Sequence, residues 1–586
     1  MILQALAGYY RRILEESGGE VALEGFEKKE IPFVIVLDSR GCFVGLDDTR
    51  EGSGKKKSGR IFTVPKGVKK TSGIVANLLW DTPAYTVGRP KIDPKKEISR
   101  QEERAKEQFQ CFQQKIRDTF PEDVGDEGVA TVLSFLERGE FKALFEHPLW
   151  AEIEEKAPNI SFRLDRETQL VCQRPEFIAH LTKEPDATKQ SAAAEPAGLQ
   201  RVCLISGTVA APARLHTAIK GVWGAQSSGA NIVSFNLGAF SSYGKEQGLN
   251  APVGKQAEFA YTTALNTLLA KGSPQRLQVG DSSTVFWSEK KTVLEDVFAD
   301  IFGEPSKENP AQADKAIRVL YEAPKAGTPP LDEDYTPFYV LGLAPNAARI
   351  AVRFWHAGTI AGVARHIRQH FDDCAMAHHP KQPEYLSLFR LLVSTALQGK
   401  SENIQPNIAG ELMRSVLAGT PYPQTLLAAA VRRCRAEREI PYPRAALLKA
   451  VLTRAARYYN QPEQEVGMAL DTGNTNIGYL LGRLFATLEK IQEEASPGIN
   501  ATIRDRFYGA ASGTPVAAFP HLLKLKNHHL AKLENRGRAV NLERVVGEIM
   551  DGIIDFPTHL SLQDQGRFAV GYYHQRQFFF TKNETH

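Results

Sequence analysis

Seven cations lie between residues 55 and 70 with no carboxylate among them: Lys55, Lys56, Lys57, Arg60, Lys66, Lys69 and Lys70. On a Gly-rich loop such charges can converge on a phosphate backbone, each neutralised phosphate releasing counterions. The alternative is a solvated loop that binds nothing specific. A second bias runs through Arg414, Arg432, Arg433, Arg435, Arg438, Arg444, Lys449, Arg454 and Arg457, opposed only by Glu437 and Glu439. Arginine in excess over lysine suits bidentate phosphate contacts; an ion-pairing helix surface or a protein interface explains it equally well. A third kind of chemistry sits between Gly229 and Pro252, where glycines, amides, hydroxyls and aromatics mix without an amphipathic period. Asn236, Tyr243, Lys245, Gln247 and Asn250 offer hydrogen-bonding tips and a ring, the groups that reach base edges or wedge between base pairs. Tight turns with internally satisfied amides are the competing account.

Several constellations invite a catalytic reading. His366 and His370 stand four apart, followed by Asp372, Asp373, Cys374, His378 and His379. Helical i,i+4 histidines can share a metal, but no zincin Glu accompanies them and no second ligand cluster is visible, so a polar helix and loop surface is expected. Gly52-Ser53-Gly54-Lys55 lacks the Gly-Lys-Ser/Thr spacing of a phosphate-binding loop. Asp38, Asp47 and Asp48 could hold magnesium for a two-metal nuclease, yet turn-forming aspartates around a hairpin explain them. No Gly-x-Ser-x-Gly elbow is present. No catalytic residue, metal or cofactor is expected.

These residues need elements to hold them. The start reads as a helix, with Leu3, Leu6, Ala7, Tyr10 and Leu14 at helical spacing and Gly18-Gly19 as its stop. Ile31 to Leu37 and Cys42 to Leu46 flank Asp38-Ser39-Arg40-Gly41 and predict a hairpin. A charge-rich helical stretch follows from about 97 to 155. Thr182 to Gln200 reads as a flexible surface segment, and Gly303 to Asp334 is rich in prolines. From about 336 strand signals become rare apart from Arg349 to Trp355, and Asn476 to Glu494 carries one apolar stripe: Ile477, Leu480, Leu481, Leu484, Leu488 and Ile491. The expected fold is α+β: a mixed α/β region with hairpins over 1–335, an Arg-rich helical connection over 336–465 and a helical bundle over 466–586. The chain has 586 residues, 42% hydrophobic and 24% charged, and a net charge of +4, so only local clustering argues for a polyanionic partner. Six scattered cysteines, the absence of a signal-peptide pattern and the lack of a membrane-length apolar run predict a reduced, cytoplasmic protein.

The chain also resembles a known family. Val233-Ser234-Phe235-Asn236, Ser242-Tyr243-Gly244-Lys245, Asn250-Ala251-Pro252, Tyr261 to Asn266, Phe286-Trp287, Leu341 to Asn346, Arg349 to Trp355 and Gly571 to Gln575 look like the large subunit of the type I-C CRISPR Cascade. The likeness runs from near Leu3 to near Phe580. It implies a non-catalytic member of an RNA-guided complex with guide RNA, backbone, guide-end-binding and small subunits as partners. Target double-stranded DNA and a separate helicase–nuclease are further partners, and no membrane is involved. Guide pairing reads the target while protein reads a short flanking motif. On that basis the 55–70 cations hold flanking phosphates, the Asn236–Asn250 group reads a groove or wedges the duplex, and Arg432, Arg433, Arg435, Arg454 and Arg457 carry a separated strand. The resemblance also implies a small subunit from an internal start, for which Met468 is a candidate. Two alternatives stand: a metal-dependent nuclease of a CRISPR system, and a scaffold subunit that never touches the flanking motif.

Overall fold

The computed structural model describes all residues except 17–22, 52–57, 69, 71–72, 122–124, 183–199, 305–311, 322–330, 462–465 and 581–586. The expected stop at Gly18-Gly19 and nearly all of the Thr182–Gln200 segment therefore lie outside the described residues, as do parts of the proline-rich stretch. The architecture is α+β. The chain divides into two compact, discontinuous units: one of 1–9, 213–251 and 264–586, the other of 10–212 and 252–263. The regions 1–335, 336–465 and 466–586 order the motifs along the chain and are a different division.

Helix α1 spans Ile2–Glu16 as its periodicity predicts. In the second unit, β1 (Phe26–Glu30) pairs with β4 (Ile61–Pro65), which delivers Arg60 and Lys66 to either end of a two-stranded ribbon. Strands β2 (Phe33–Leu37) and β3 (Phe43–Asp48) form the expected hairpin. Asp38 Oδ1 accepts from the backbone N–H groups of Arg40 and Cys42, and Gly41 takes φ 74°, closing the turn. β2 is buried along its whole length because it also pairs, in parallel, with β6 (Ile160–Leu164), beside β5 (Trp80–Asp81). A continuous apolar run suits such a central strand. Helices α2 (Ile98–Thr119) and α3 (Glu127–Arg138) bring Phe112 and Phe135 against Phe162 of β6. A short ribbon of β7 (Arg201–Val202) and β8 (Val209–Ala210) completes the strands.

The first unit contains an antiparallel sheet ordered β12-β11-β10-β9, with β9 at Arg276–Val279, β10 at Ser282–Ser288, β11 at Pro337–Asn346 and β12 at Arg349–Thr359. β11 is a correction, since strand signals read as rare from about 336 apart from Arg349 to Trp355. Pro345 lies past the part of β11 that pairs with β10, and Phe354 of β12 lies over Gly342, filling the place of a side chain. Beyond the sheet the chain is helical: α4 (Ile360–Cys374), α5 (Gln424–Glu437), α6 (Tyr442–Tyr458), α7 (Ile477–Ala495) and α8 (Leu562–Phe580), with shorter helices between. α7 departs from the one-stripe expectation. Gly478 to Glu489 are buried without a break, so α7 is the central rod of the bundle rather than a surface helix.

Candidate functional site

The polar segment 213–251 builds a loop with a defined tip. Ser242 and Lys245 bridge, Lys245 N donates to Ser242 O at 2.9 Å, and Tyr243 and Gly244 take φ 50° and 68°. Two consecutive positive φ values are what a type I′ turn requires, and Gly or Asn normally supplies the first of them. Here a tyrosine does, at a cost of order 1–3 kcal/mol. No packing of its ring offsets that cost, because Tyr243 is 96% exposed. Lys245 beside it is exposed as well.

The other amides of the segment hold the tip in place. Asn250 Oδ1 accepts from Ser242 N at 3.0 Å, while its Nδ2 donates to the carbonyls of Lys245 and Gln247 at 3.2 and 3.0 Å. Asn250, expected among the groove readers, clasps the tip from below. Arg214 Nε donates to Gln247 Oε1 at 2.5 Å, and Gly248 is seated so tightly that a Cβ would meet Ala213 O at 2.1 Å. Asn236 Oδ1 accepts from Arg349 at 2.6 Å, and that guanidinium lies 4.3 Å from the Phe240 ring centroid. Arg349 is thus a hook from β12 onto the loop. It stands 113 residues from Asn236, and nothing in the local sequence marks the pairing. Trp223, Leu215 and Leu237 are further exposed apolar side chains on this segment.

The basic clusters divide when seen in space. Lys55, Lys56, Lys57 and Lys69 lie outside the described residues. Arg60 and Lys66 are exposed, with Arg60 5.4 Å from the Phe62 ring. Lys70 is different: its Nζ lies 2.6 and 2.7 Å from the two carboxylate oxygens of Asp81, itself 1% exposed, and 3.7 Å from the Tyr85 ring. Lys70 thus forms an ion pair with a buried carboxylate. Arg432 and Arg435 are exposed on α5, and Arg433 leans 3.7 Å from Glu437. Arg454, expected on a strand-carrying surface, lies inside the fold. It is 2% exposed, bonds Asp373 Oδ2 at 2.9 Å and Ser415 O at 3.2 Å, and stacks 4.6 Å from the Tyr422 ring. Arg457 binds the other oxygen of Asp373 at 2.9 Å while remaining 38% exposed.

Several of the residues that invited a catalytic reading have structural occupations. His370 is buried against the Tyr422 hydroxyl at 2.6 Å, a core contact rather than the expected surface, while the half-buried His366 meets Leu417 O at 2.8 Å. Asp38 closes its turn, Asp47 pairs with Arg163 at 2.6 Å and Asp48 with Arg50 at 2.7 Å. Among the described residues no group of three His, Cys, Asp or Glu side chains could hold a metal ion, and no helix is long and apolar enough to cross a membrane.

Buried histidines give the fold an acid limit. Burial lowers His370 to about 3, and His356 and His574 to about 4. The ordinary value is near 6.5, so below that pH the unfolded chain takes up protons that the native chain refuses. Stability is therefore full above about pH 7 and falls as pH drops, by roughly 2 kcal/mol per histidine at pH 5. Urea midpoints measured from pH 8 to 5 should decline steeply below 6.5; a flat profile would contradict the burial of these rings.

A family model described as CRISPR-associated protein (Cas_Csd1) matches residues 6–580. The chain belongs to this family. It is the family of type I-C Cascade large subunits, as the ordered phrases of the sequence imply. No curated protein matches the chain. In this family member the phrases that carry the resemblance fall on specific structural tasks. Ser242 to Lys245 is the tip turn, Asn250 the clasp below it, Arg349 the hook and Gly571 a helix-packing glycine.

Proposed function

We propose that this chain is the non-catalytic large subunit of an RNA-guided antiviral complex. It binds target double-stranded DNA, inspects the protospacer-flanking motif, begins strand separation and supports recruitment of a separate helicase–nuclease. The observation that carries the reading is Tyr243, a strained and almost fully exposed ring on a turn braced from below by Asn250 and by the Asn236–Arg349–Phe240 hook. A rigid base under an unpacked aromatic tip suits a wedge that unstacks the first base step. Lys245, and in the other unit Arg60 and Lys66, are exposed cations of the kind that contact phosphates and fix register without reading bases. Opening needs no nucleotide hydrolysis, because guide–target pairing roughly repays the lost duplex.

The test uses the assembled complex with guide RNA. Tyr243→Ala should weaken binding to an intact duplex carrying the correct flanking motif by tenfold or more. Binding should recover when the first base pairs beside the motif are mismatched and already open. Equal losses on both targets, or no loss on either, would rule out the wedge.

A further inference from the structure

A second exposed aromatic stands on the segment 213–251, on a loop of its own. Of the five tryptophans, Trp80, Trp150 and Trp287 are buried and Trp355 is half-buried, whereas Trp223 is 64% exposed. Leaving so large an apolar ring in water forgoes the stabilisation that packing would give. The loop under it is braced. Ile219 and Ala230, both buried, exchange two backbone hydrogen bonds of 2.9 Å and close the loop at its base. Lys220 N donates to Asn266 Oδ1 at 2.8 Å, and Trp223 N donates at 2.9 Å to Oγ of Ser283 on the buried strand β10. Gly221 takes φ 88° so close to the Leu269 carbonyl that a Cβ would lie 2.5 Å from its oxygen, which leaves no room for a side chain. Val222 is buried, and the next residue presents its ring to solvent.

Two features point to the ring's partner. Within 220–229 the other exposed side chains are those of Lys220, Gln226, Ser227 and Ser228, and the one other large apolar residue, Val222, is buried. An anchor for a protein partner sits in a contiguous apolar core, whereas a base needs one flat face. The charge has the sign that a nucleic-acid strand requires. Residues 196–245 include Arg201, Arg214, Lys220 and Lys245 and no Asp or Glu, although the chain has 68 of these in 586 residues. We propose that Trp223 is a stacking platform for an unpaired nucleobase, with Lys220 against the adjoining phosphate. Because the loop is held before any strand arrives, little ordering entropy is lost on binding. The platform rests on the reading that this chain handles nucleic acid, and not on Tyr243 acting as a wedge.

The experiment uses the full chain, with fluorescein-labelled dT12, rU12 and an abasic strand of the same length, which has the phosphates and no bases, each titrated by anisotropy. Trp223→Leu, at an exposed position, should leave the thermal midpoint unchanged and weaken dT12, rU12 or both about tenfold, within what one stacked base contributes. The abasic strand should bind the variant and the wild type alike. Trp223→Phe, which keeps a smaller ring, should retain part of the affinity. Lys220→Gln should flatten the slope of log affinity against log salt by about 0.7, the share of one phosphate on a single strand. A loss confined to dT12 identifies a DNA strand, one confined to rU12 an RNA strand, and a loss on both a platform indifferent to the sugar. The proposal is overturned if Trp223→Leu matches the wild type on both base-bearing strands, if the abasic strand suffers as large a loss, or if the wild-type chain binds neither strand. The wedge then still stands on its own duplex test, and a failure of Tyr243→Ala in that test leaves this platform untouched.

Discussion

Gly482→Ala should destabilise the helical bundle by about 3 kcal/mol, the upper end of what overpacking a core costs. A Cβ at Gly482 would lie 2.1 Å from Phe568 O, 2.8 Å from Tyr572 N and 2.9 Å from Phe568 C, all backbone atoms of α8. No rotamer change relieves a clash with backbone; the helices must separate. The same seam contains Gly478 on α7, whose Cβ would meet Asp564 O at 2.4 Å, and Gly571 on α8, whose Cβ would meet Tyr479 O at 2.3 Å. Bare Cα positions on both sides let the two backbones approach far closer than ordinary side chains permit, all along the pair. Because α7 is buried on every face, a shift against α8 is passed to all its neighbours. Gly547→Ala is the matched control. It lies at an exposed position inside a helix with nothing within 4 Å of the added carbon, so it should stabilise by up to about 1 kcal/mol. Urea unfolding of the two variants should move in opposite directions; a shared direction would remove the close-packing account of the seam.

How much of the fold is legible in the sequence follows from the range over which each cause acts. α1, the β2–β3 hairpin and the start of α7 are set by neighbours a few residues away. Asn476 caps α7 by accepting from Tyr479 N, and Asp38 turns the hairpin within four residues. β11 is hidden because Gly342 and Pro345 are breakers in isolation, and only the Phe354 ring across the sheet makes the glycine fit. The tip of the 213–251 loop is legible as chemistry: Tyr243 and Lys245 are marked by residue type and do stand exposed. The division of labour among its amides is not, since Asn250 and Asn236 look alike until their partners are placed. Counting charge along the chain fails for a similar reason. Lys70 has no carboxylate within the cluster that contains it, yet Asp81 folds back onto it, and Arg454 is answered by an aspartate 81 residues away. Local charge patterns report composition; only the fold decides which charges are spent.

Asp373→Ala should cost about 3–5 kcal/mol, the loss expected when one partner of a buried ion pair is removed. Its carboxylate is 1% exposed and balances Arg454, which is 2% exposed, together with the partly exposed Arg457. Lys449, also buried, donates to the Asp373 carbonyl at 2.8 Å, so the backbone here is pinned as well. Asp372→Ala should do little, within about 0.5 kcal/mol, because Asp372 is exposed and its bond to Tyr321 lies at the surface. The contrast separates two accounts of neighbouring carboxylates. A metal-dependent nuclease needs both for activity and predicts comparable loss of cleavage with stability intact. A structural ion pair predicts one silent and one damaging substitution, with no cleavage to lose. Arg454 admits the same discrimination. A strand-binding arginine changed to Met would lose affinity with an unchanged melting temperature, whereas a buried partner of Asp373 would lower the melting temperature first. Combining Arg454→Met with Asp373→Leu should restore much of what either single change removes, since an apolar pair of similar volume avoids leaving one charge buried alone. If the two losses simply add, the pair is not coupled and Arg454 returns to the set of residues open to a nucleic-acid strand.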